Sequence, residues 1–361
     1  MDINAKIYVA GHTGLVGSAL LRNLKKEGYS NFILKTIDEL DLTNQKSVDA
    51  FFEQEKPEYV FLAAAKVGGI MANSIFRAQF IYENLQIQNN IIHSSWKYNV
   101  KKLLFLGSSC IYPKDAPQPM KEEHLLTSPL EYTNEPYAIA KIAGIKMCES
   151  YNLQYNTDFI SVMPTNLYGA NDNYNLHNSH VLPAMIRKMH LGKLLMNNDF
   201  DGIRKDIAKY PIKDVSLSAD NQEIIDALEQ FGIYKTSGNV EIKLWGTGTP
   251  RREFLHSDDL AKAVIYVMKN ISFRDIVEER GLDEVRNTHI NIGSGTDLAI
   301  AELAELVKSI VKFDGVISWD KEKPDGTYQK LMDVSRLKNL GWSASIELED
   351  GIREIYGKYC G

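Results

Sequence analysis

The three cysteines, Cys110, Cys148 and Cys360, are too few and too scattered for a disulfide framework or a zinc site. A reducing cytoplasm is the simpler setting, and no metal is expected. Long apolar runs are missing too. None approaches the ~20 residues that span a bilayer, and Met1–Lys6 shows no basic segment followed by an apolar stretch. Neither a membrane partner nor a signal peptide is expected. Positive charge is not in excess: the net charge of −6 excludes a general nucleic-acid binder, because phosphate affinity needs concentrated positive charge. A local basic pocket for one small phosphorylated ligand remains compatible with it. Internal repeats and low-complexity tracts are absent.

What is present is an ordinary globular mixture, 44% hydrophobic and 24% charged over 361 residues. That length predicts two domains, or one large domain with an added lobe. In the first half, short apolar runs alternate with helical spacing: Ile7–Ala10, then Val16, Leu20, Leu21 and Leu24; Phe32–Leu34, then a helix capped by Asn44 and ended by Pro57; Tyr59–Ala64, then a long helix over Ile75–Tyr98; and Leu103–Leu106. A helix is expected over Tyr137–Tyr155 and a strand over Phe159–Met163. Such alternation predicts an α/β fold with a doubly wound parallel sheet of Rossmann type, plus a smaller mixed α/β substrate lobe. The expected division is a cofactor domain over 1–165, to which later segments return, and a lobe mainly over 166–361. Residues 191–240 read as a surface excursion, a lid or an oligomer contact.

Gly11, Gly14 and Gly17 are spaced Gly-x-x-Gly-x-x-Gly, after a buried strand and at the opening of a helix. Gly11 permits the tight turn, Gly14 admits a pyrophosphate, and Gly17 lets helix and strand pack closely. The helix N-terminus, with Thr13, Leu15 and Val16, adds free N–H groups and partial positive charge. Three turn glycines alone would be a weak signal; their context makes a dinucleotide site the better reading. At the end of the second strand, Leu34-Lys35-Thr36 carries no carboxylate to hold ribose hydroxyls, and Lys35 is suited to the extra phosphate of NADP(H). The competing reading of Lys35 is a solvated surface lysine. Asp41 and Leu42 are placed to flank the adenine, and the small Ala63, Ala64 and Ala65 leave the cofactor room.

Tyr137 and Lys141 lie at i and i+4, so a helix puts them on one face. An ammonium beside a phenol is expected to lower the phenol pKa and improve proton donation to an alkoxide. Ser108, just past the fourth strand, offers a hydroxyl to the same carbonyl. Tyr-x-x-x-Lys occurs by chance in many helices, but in this order with the glycine loop it gains weight. Cys110 is either a buried structural thiol or, at the strand end where such folds place chemistry, a base. His180 opens a later helix; a lone histidine is more often structural, but paired with a thiol it completes a base and an acid about one carbon.

The motifs at these residues resemble the GDP-L-fucose synthase family, 3,5-epimerase/4-reductases within the extended short-chain dehydrogenases. They are Ala63–Ile70, Gly107–Pro113, Asn134–Lys141, Met163–Gly169, Trp245–Phe254 and Lys323–Thr327. The resemblance spans nearly the whole chain apart from about 191–240. It implies a reductase triad of Ser108, Tyr137 and Lys141, with Cys110 and His180 as epimerisation base and acid. It adds Pro164, Asn166, Leu167 and His180 to the cofactor residues. Ser109, Asn166, Lys188, Trp245, Arg252 and Lys323 fall to a GDP-linked keto-sugar, and a homodimer is implied. Thr13 and Ile37 stand where the family carries basic residues for the NADP phosphate. The chain is also similar to GDP-heptose 4-reductases of bacterial capsule pathways, relatives that reduce without epimerising. A 4,6-dehydratase would need carboxylic groups where Ser109-Cys110 stands. A non-catalytic nucleotide sensor would be expected to lack Ser108, Tyr137 or Lys141.

Overall fold

The computed structural model describes residues 1–213, 215–280, 284–323 and 325–361. The elements in chain order are β1 (Ile7–Ala10), α1 (Leu15–Lys26), β2 (Phe32–Ile33), α2 (Gln45–Glu55), β3 (Tyr59–Leu62), α3 (Ile70–Ile75), α4 (Arg77–Lys97), β4 (Lys102–Leu106), α5 (Glu135–Tyr155), β5 (Phe159–Pro164), β6 (Asn166–Tyr168), α6 (Val181–Met196), α7 (Phe200–Lys209), α8 (Asn221–Glu229), β7 (Ile233–Thr236), β8 (Asn239–Trp245), β9 (Arg251–His256), α9 (Ser257–Asn270), α10 (Phe273–Arg280), β10 (Ile290–Ile292), β11 (Asp297–Ala299), α11 (Ile300–Val311), β12 (Val316–Asp320), β13 (Gln329–Lys330), α12 (Ser335–Asn339) and α13 (Leu348–Cys360). The chain divides into two units. The first comprises Met1–Asn171, Glu253–Thr296 and Leu331–Ile346; the second comprises Asp172–Arg252, Asp297–Lys330 and Glu347–Gly361.

In the first unit, a six-stranded parallel sheet runs in the order β10-β5-β4-β3-β1-β2. Successive strand residues face opposite sides, so each strand feeds two cores. Tyr8, Val60, Leu62, Leu103 and Phe105 pack with Val48, Phe52, Ile91 and Ile145 on the α2, α4, α5 face. Ile7, Val9, Phe61, Leu104 and Val162 pack with Leu20, Leu24, Leu260 and Val264 on the α1, α9 face. This is the expected doubly wound sheet. Its order reverses between β1 and β3, and the crevice at such a reversal, outside the carboxyl ends of the strands, is where these folds take ligands.

Two local expectations need adjustment. The second strand is two residues long rather than three. The long helix starts at Arg77, because Phe76, at φ −100° and ψ 36°, leaves the helical region and separates it from α3. Asn44 caps α2 as expected, its side chain accepting from Ser47 N–H at 3.2 Å.

The second unit corrects the view of 191–240 as a surface excursion. Leu191, Leu195, Ile203, Ile224, Leu228 and Ile233 are all 0% exposed. β8 pairs with β12 in parallel and with β7 antiparallel, forming a three-stranded sheet behind these helices. The Arg187 side chain on α6 is fully buried and paired with Asp206 of α7 at 2.8 Å. It also donates to the carbonyls of Tyr174 at 3.0 Å and Tyr210 at 2.5 Å. Tyr359 of α13 donates its hydroxyl to the other Asp206 oxygen. The buried Arg187 guanidinium and Asp206 carboxylate therefore each find partners that offset their loss of water.

Removing one partner of such a pair strands the other charge. Asp206→Ala is expected to cost about 3–5 kcal/mol, the scale for breaking a buried ion pair. Urea denaturation followed by circular dichroism measures it; a loss below about 1 kcal/mol, the scale of an exposed pair, would refute the assignment.

Candidate active site

The nucleotide loop lies at the reversal point. Gly11, at φ +83°, brings the turn after β1 so near the end of β3 that a Cβ there would meet Ala64 N at 2.8 Å. A Cβ on Gly17 would lie 2.0 Å from the Gly11 carbonyl oxygen, so only glycine allows α1 to start against the turn. Gly14 caps α1 without any side-chain hydrogen bond, and its nearest neighbour in that direction, Gly11 O, stands back at 3.6 Å. The first N–H groups of α1 thus face an open cradle, which fits a pyrophosphate. Thr13 is exposed, and Leu15 and Val16 are half-buried. Ala63, Ala64 and Ala65 leave β3 half-buried.

Beyond β2, Lys35 is half-buried and Ile37 is 78% exposed. Asp41 turns its carboxylate to Thr43, accepting from the N–H at 2.9 Å and the hydroxyl at 2.7 Å. Leu42 is half-buried, and its carbonyl accepts from the Asn90 amide at 2.9 Å. Pro164 is buried at the end of β5; Leu167 and Asn166 are half-buried on β6, where the Asn166 amide donates to Glu253 O at 2.8 Å.

The catalytic candidates of the first unit come together. Ser108 follows β4 and starts a single 3₁₀ turn over Ser109–Ile111, its hydroxyl accepting from Cys110 N–H at 3.4 Å. Ser109 and Cys110 are buried within that turn. Tyr137, in the first turn of α5, hydrogen-bonds Ser108, and the Cys110 thiol is close enough to act electrostatically on both Tyr137 and Lys141. Lys141 is 3% exposed, donates to Leu106 O at 2.8 Å, and places its ammonium 5.7 Å from the Tyr137 ring centre.

The electrostatics correct one expectation. The Tyr137 phenol is not brought down on balance: burial raises its pKa well above the usual value, the nearby Cys110 thiol adds to that, and the Ser108 hydrogen bond offsets only part of it. The same burial lowers the lysine, to about 8. Desolvation disfavours both charged forms and here exceeds the attraction expected between them.

Within the second unit, His180 occupies the N-cap position of α6 without a side-chain cap bond; it is exposed, and partial desolvation by the surrounding protein lowers its pKa. Two turns on, Lys188 is brought down to about 8 by burial and makes no ion pair among the described residues. Trp245, at the end of β8, is 61% exposed, with the Lys323 ammonium 5.6 Å from its ring centre. Arg252 is lowered by burial and raised by nearby Asp325. Pro324, in the Lys323–Thr327 motif, lies outside the described residues.

Three contributors went unread in the sequence. Asp325 clamps Thr247, accepting from its N–H at 2.9 Å and its hydroxyl at 2.7 Å, so the last two motifs meet. Glu253, 0% exposed, accepts from the N–H groups of Gly295 at 2.7 Å and Met332 at 3.0 Å. Asp172, in the loop entering α6, is pushed up to about 7 by burial, a carboxyl that titrates near neutrality. The first two sat inside quoted motifs; for Asp172 no sequence signal separated it from a solvated loop acid. Among the described residues no cluster of metal-ligating side chains forms and no helix is long and apolar enough to cross a membrane.

Comparison with known proteins gives a consistent picture. The profile of the NAD dependent epimerase/dehydratase family matches residues 7–205 and 222–293. A GDP-L-fucose synthase of Arabidopsis thaliana is 51% identical, over 99% of this chain and 94% of its own. A solved GDP-6-OMe-4-keto-L-xylo-heptose reductase from Campylobacter jejuni is 49% identical, with a TM-score of 0.91, covering 99% of this chain and 98% of its own. A GDP-D-glycero-L-gluco-heptose synthase from Campylobacter jejuni, solved in the presence of NADPH, is 48% identical with a TM-score of 0.91 and 99% coverage of both chains. These alignments extend the resemblance over 191–240, while the family profile skips 206–221.

Gly17→Ala is expected to weaken dinucleotide binding about 10- to 100-fold, the factor that ~1–3 kcal/mol of local strain represents. Titration against tryptophan fluorescence reads the change. Unaltered affinity would show that the cradle is not built on this contact.

Proposed function

Since this chain belongs to the NAD dependent epimerase/dehydratase family, we propose that it reduces the 4-keto group of a GDP-4-keto-6-deoxy-sugar with NADPH, after inverting carbons 3 and 5. The observation that carries this reading is the placement of the Cys110 thiol in the turn that starts at Ser108, within electrostatic reach of Tyr137 and Lys141. One site thereby holds a carbon-acid base and a carbonyl proton donor. The thiolate of Cys110 takes a proton from the carbon beside the keto group, leaving an enolate, and His180 is the acid that the family resemblance implies for returning a proton to that carbon. Bound NADPH supplies the hydride for carbon 4. Tyr137 gives its proton to the oxygen, Ser108 hydrogen-bonds that oxygen, and Lys141 offsets the phenolate left behind. Lys35 is the remaining cation for the extra phosphate of NADPH where Thr13 and Ile37 offer none.

The cationic Lys188, Arg252 and Lys323 suit a diphosphate, Trp245 an aromatic or sugar face, and Ser109 and Asn166 the sugar itself. α4 and α5 pack on each other and still expose Tyr82 at 61% and Ile139 at 42%, the surface a second copy would cover in a homodimer. The absence of a disulfide among Cys110, Cys148 and Cys360 accords with a cytoplasmic setting. The second reading is a GDP-4-keto-6-deoxyheptose 4-reductase of capsule heptose biosynthesis without epimerisation, favoured by the 0.91 TM-scores of the two Campylobacter enzymes.

Incubation with GDP-4-keto-6-deoxymannose and NADPH is expected to consume the reduced nicotinamide and yield the doubly inverted sugar. Cys110→Ser should abolish the inversion. Turnover confined to heptose substrates, without inversion, would replace the first reading by the second. The reduction is also expected to slow as pH rises through about 8, where Lys141 loses the proton that its ammonium needs to offset phenolate charge. A rate that stays level to pH 10 would remove Lys141 from that role.

A further inference from the structure

Four residues beyond Ser108, the chain passes through Tyr112, 3% exposed, whose amide closes the catalytic turn by donating to Ser109 O at 3.4 Å. Its hydroxyl leaves the turn and reaches β10, at the sheet edge. There it donates to Asn291 Oδ1 at 2.5 Å and meets His289 Nε2 at 3.0 Å. The amide orientation of Asn291 is fixed independently, because its nitrogen donates to Met120 O at 3.0 Å and Asp333 O at 3.2 Å. With the tyrosine proton on Asn291, His289 must present Nε2–H to the hydroxyl. The frame is braced further: Asn291 N–H donates to Glu122 Oε1 at 3.1 Å, and Arg336 donates to His289 O at 2.6 Å.

A buried tyrosine at this point could be filler. A filler ring needs only volume, however, whereas this hydroxyl has both a donor and an acceptor set against it by groups that are themselves held. Ser108 is bound to Tyr137, and Lys141 to the end of β4, so the reductase groups have anchors of their own. Cys110 lies between the two ends of the turn, and its outgoing end is tied down by Tyr112.

We propose that Tyr112 is a positioning residue for Cys110: its hydroxyl, latched to Asn291 and His289, holds the turn that aims the thiol, and so serves proton transfer at carbon more than hydride transfer. This rests on the proposed epimerase–reductase reading for its catalytic consequence, but not for its structural one. Tyr112→Phe keeps the ring and removes the latch. Ile111→Val, trimming a fully buried neighbour in the same turn, is the control for lost packing.

Two readouts decide it. Iodoacetamide labelling of Cys110, with buried Cys148 as internal reference, is expected to speed up about tenfold in Tyr112→Phe, the factor that one lost hydrogen bond represents, and to change little in Ile111→Val. Solvent-deuterium incorporation beside the keto group should fall about tenfold relative to nicotinamide oxidation in Tyr112→Phe alone, for the same reason. Equal effects from the two variants, or unchanged labelling in Tyr112→Phe, would overturn the latch. Faster labelling in an enzyme that reduces without exchange would leave the latch standing and reject the epimerase half of the function. Absence of turnover on any GDP-keto-sugar would reject the function itself, with the labelling result still deciding the latch.

Discussion

The approach of the turn after β1 to the end of β3 is the contact on which the site depends. Both strands must finish at the same level for the sheet order to reverse there, and Gly11 meets this by adopting φ +83° within 3 Å of where Ala64 would strike a side chain. Gly17 then starts α1 against the same turn. Once β1 and β3 end together, β4 ends beside them in register, Leu62 opposite Phe105, and Ser108 and its turn emerge on the same edge. The chemistry inherits its position from the sheet.

Arg187 differs in kind from two lysines of the candidate site. Arg187 is wholly buried and wholly repaid, by Asp206 and two carbonyls, so its charge is spent on structure. Lys141 is buried and Lys188 half-buried, neither with a carboxylate partner among the described residues, and desolvation brings each to about 8, with the Cys110 thiol partly opposing it at Lys141. A buried cation lacking a countercharge lowers stability in the empty protein, and that unpaid cost is recovered when negative charge arrives. A diphosphate or a phenolate is such a charge. Desolvation without a carboxylate partner, more than charge as such, separates these two lysines from Arg187.

The features legible in the sequence were those written at short range. Gly-x-x-Gly-x-x-Gly and Tyr-x-x-x-Lys each lie within one turn or one helix, where spacing alone fixes geometry. The alternating strands gave the sheet because a strand buried on both faces must be apolar along its length. The polar frame was not legible. Tyr112 and Asn291 are 179 residues apart, and Thr247 and Asp325 are 78 apart; neither pair follows a periodicity. Residues 191–240 read as surface because Arg187 and Asp206, which weld that region inward, have the composition of a solvated face. The direction of the Tyr137 shift was misjudged for a related reason: spacing shows that a lysine is near, but not that both groups lie away from water.

That shift bears on how the pair works. With the phenol raised and the ammonium lowered, Tyr137 keeps its proton at neutral pH and Lys141 is charged only below about 8. In the resting site the pair therefore carries one charge, on the lysine. Proton donation from Tyr137 to a substrate oxygen creates the opposite charge on a side chain whose ring centre lies 5.7 Å from that ammonium, in surroundings that screen it poorly. The ammonium, costly while the site is empty, then has its countercharge, so the interaction is stronger in the transition state than before it. This is the condition for acceleration rather than mere binding. The same burial that makes Tyr137 a reluctant acid in isolation thus favours it at the moment of transfer, and ties the rate to the protonation of Lys141 rather than to that of the phenol.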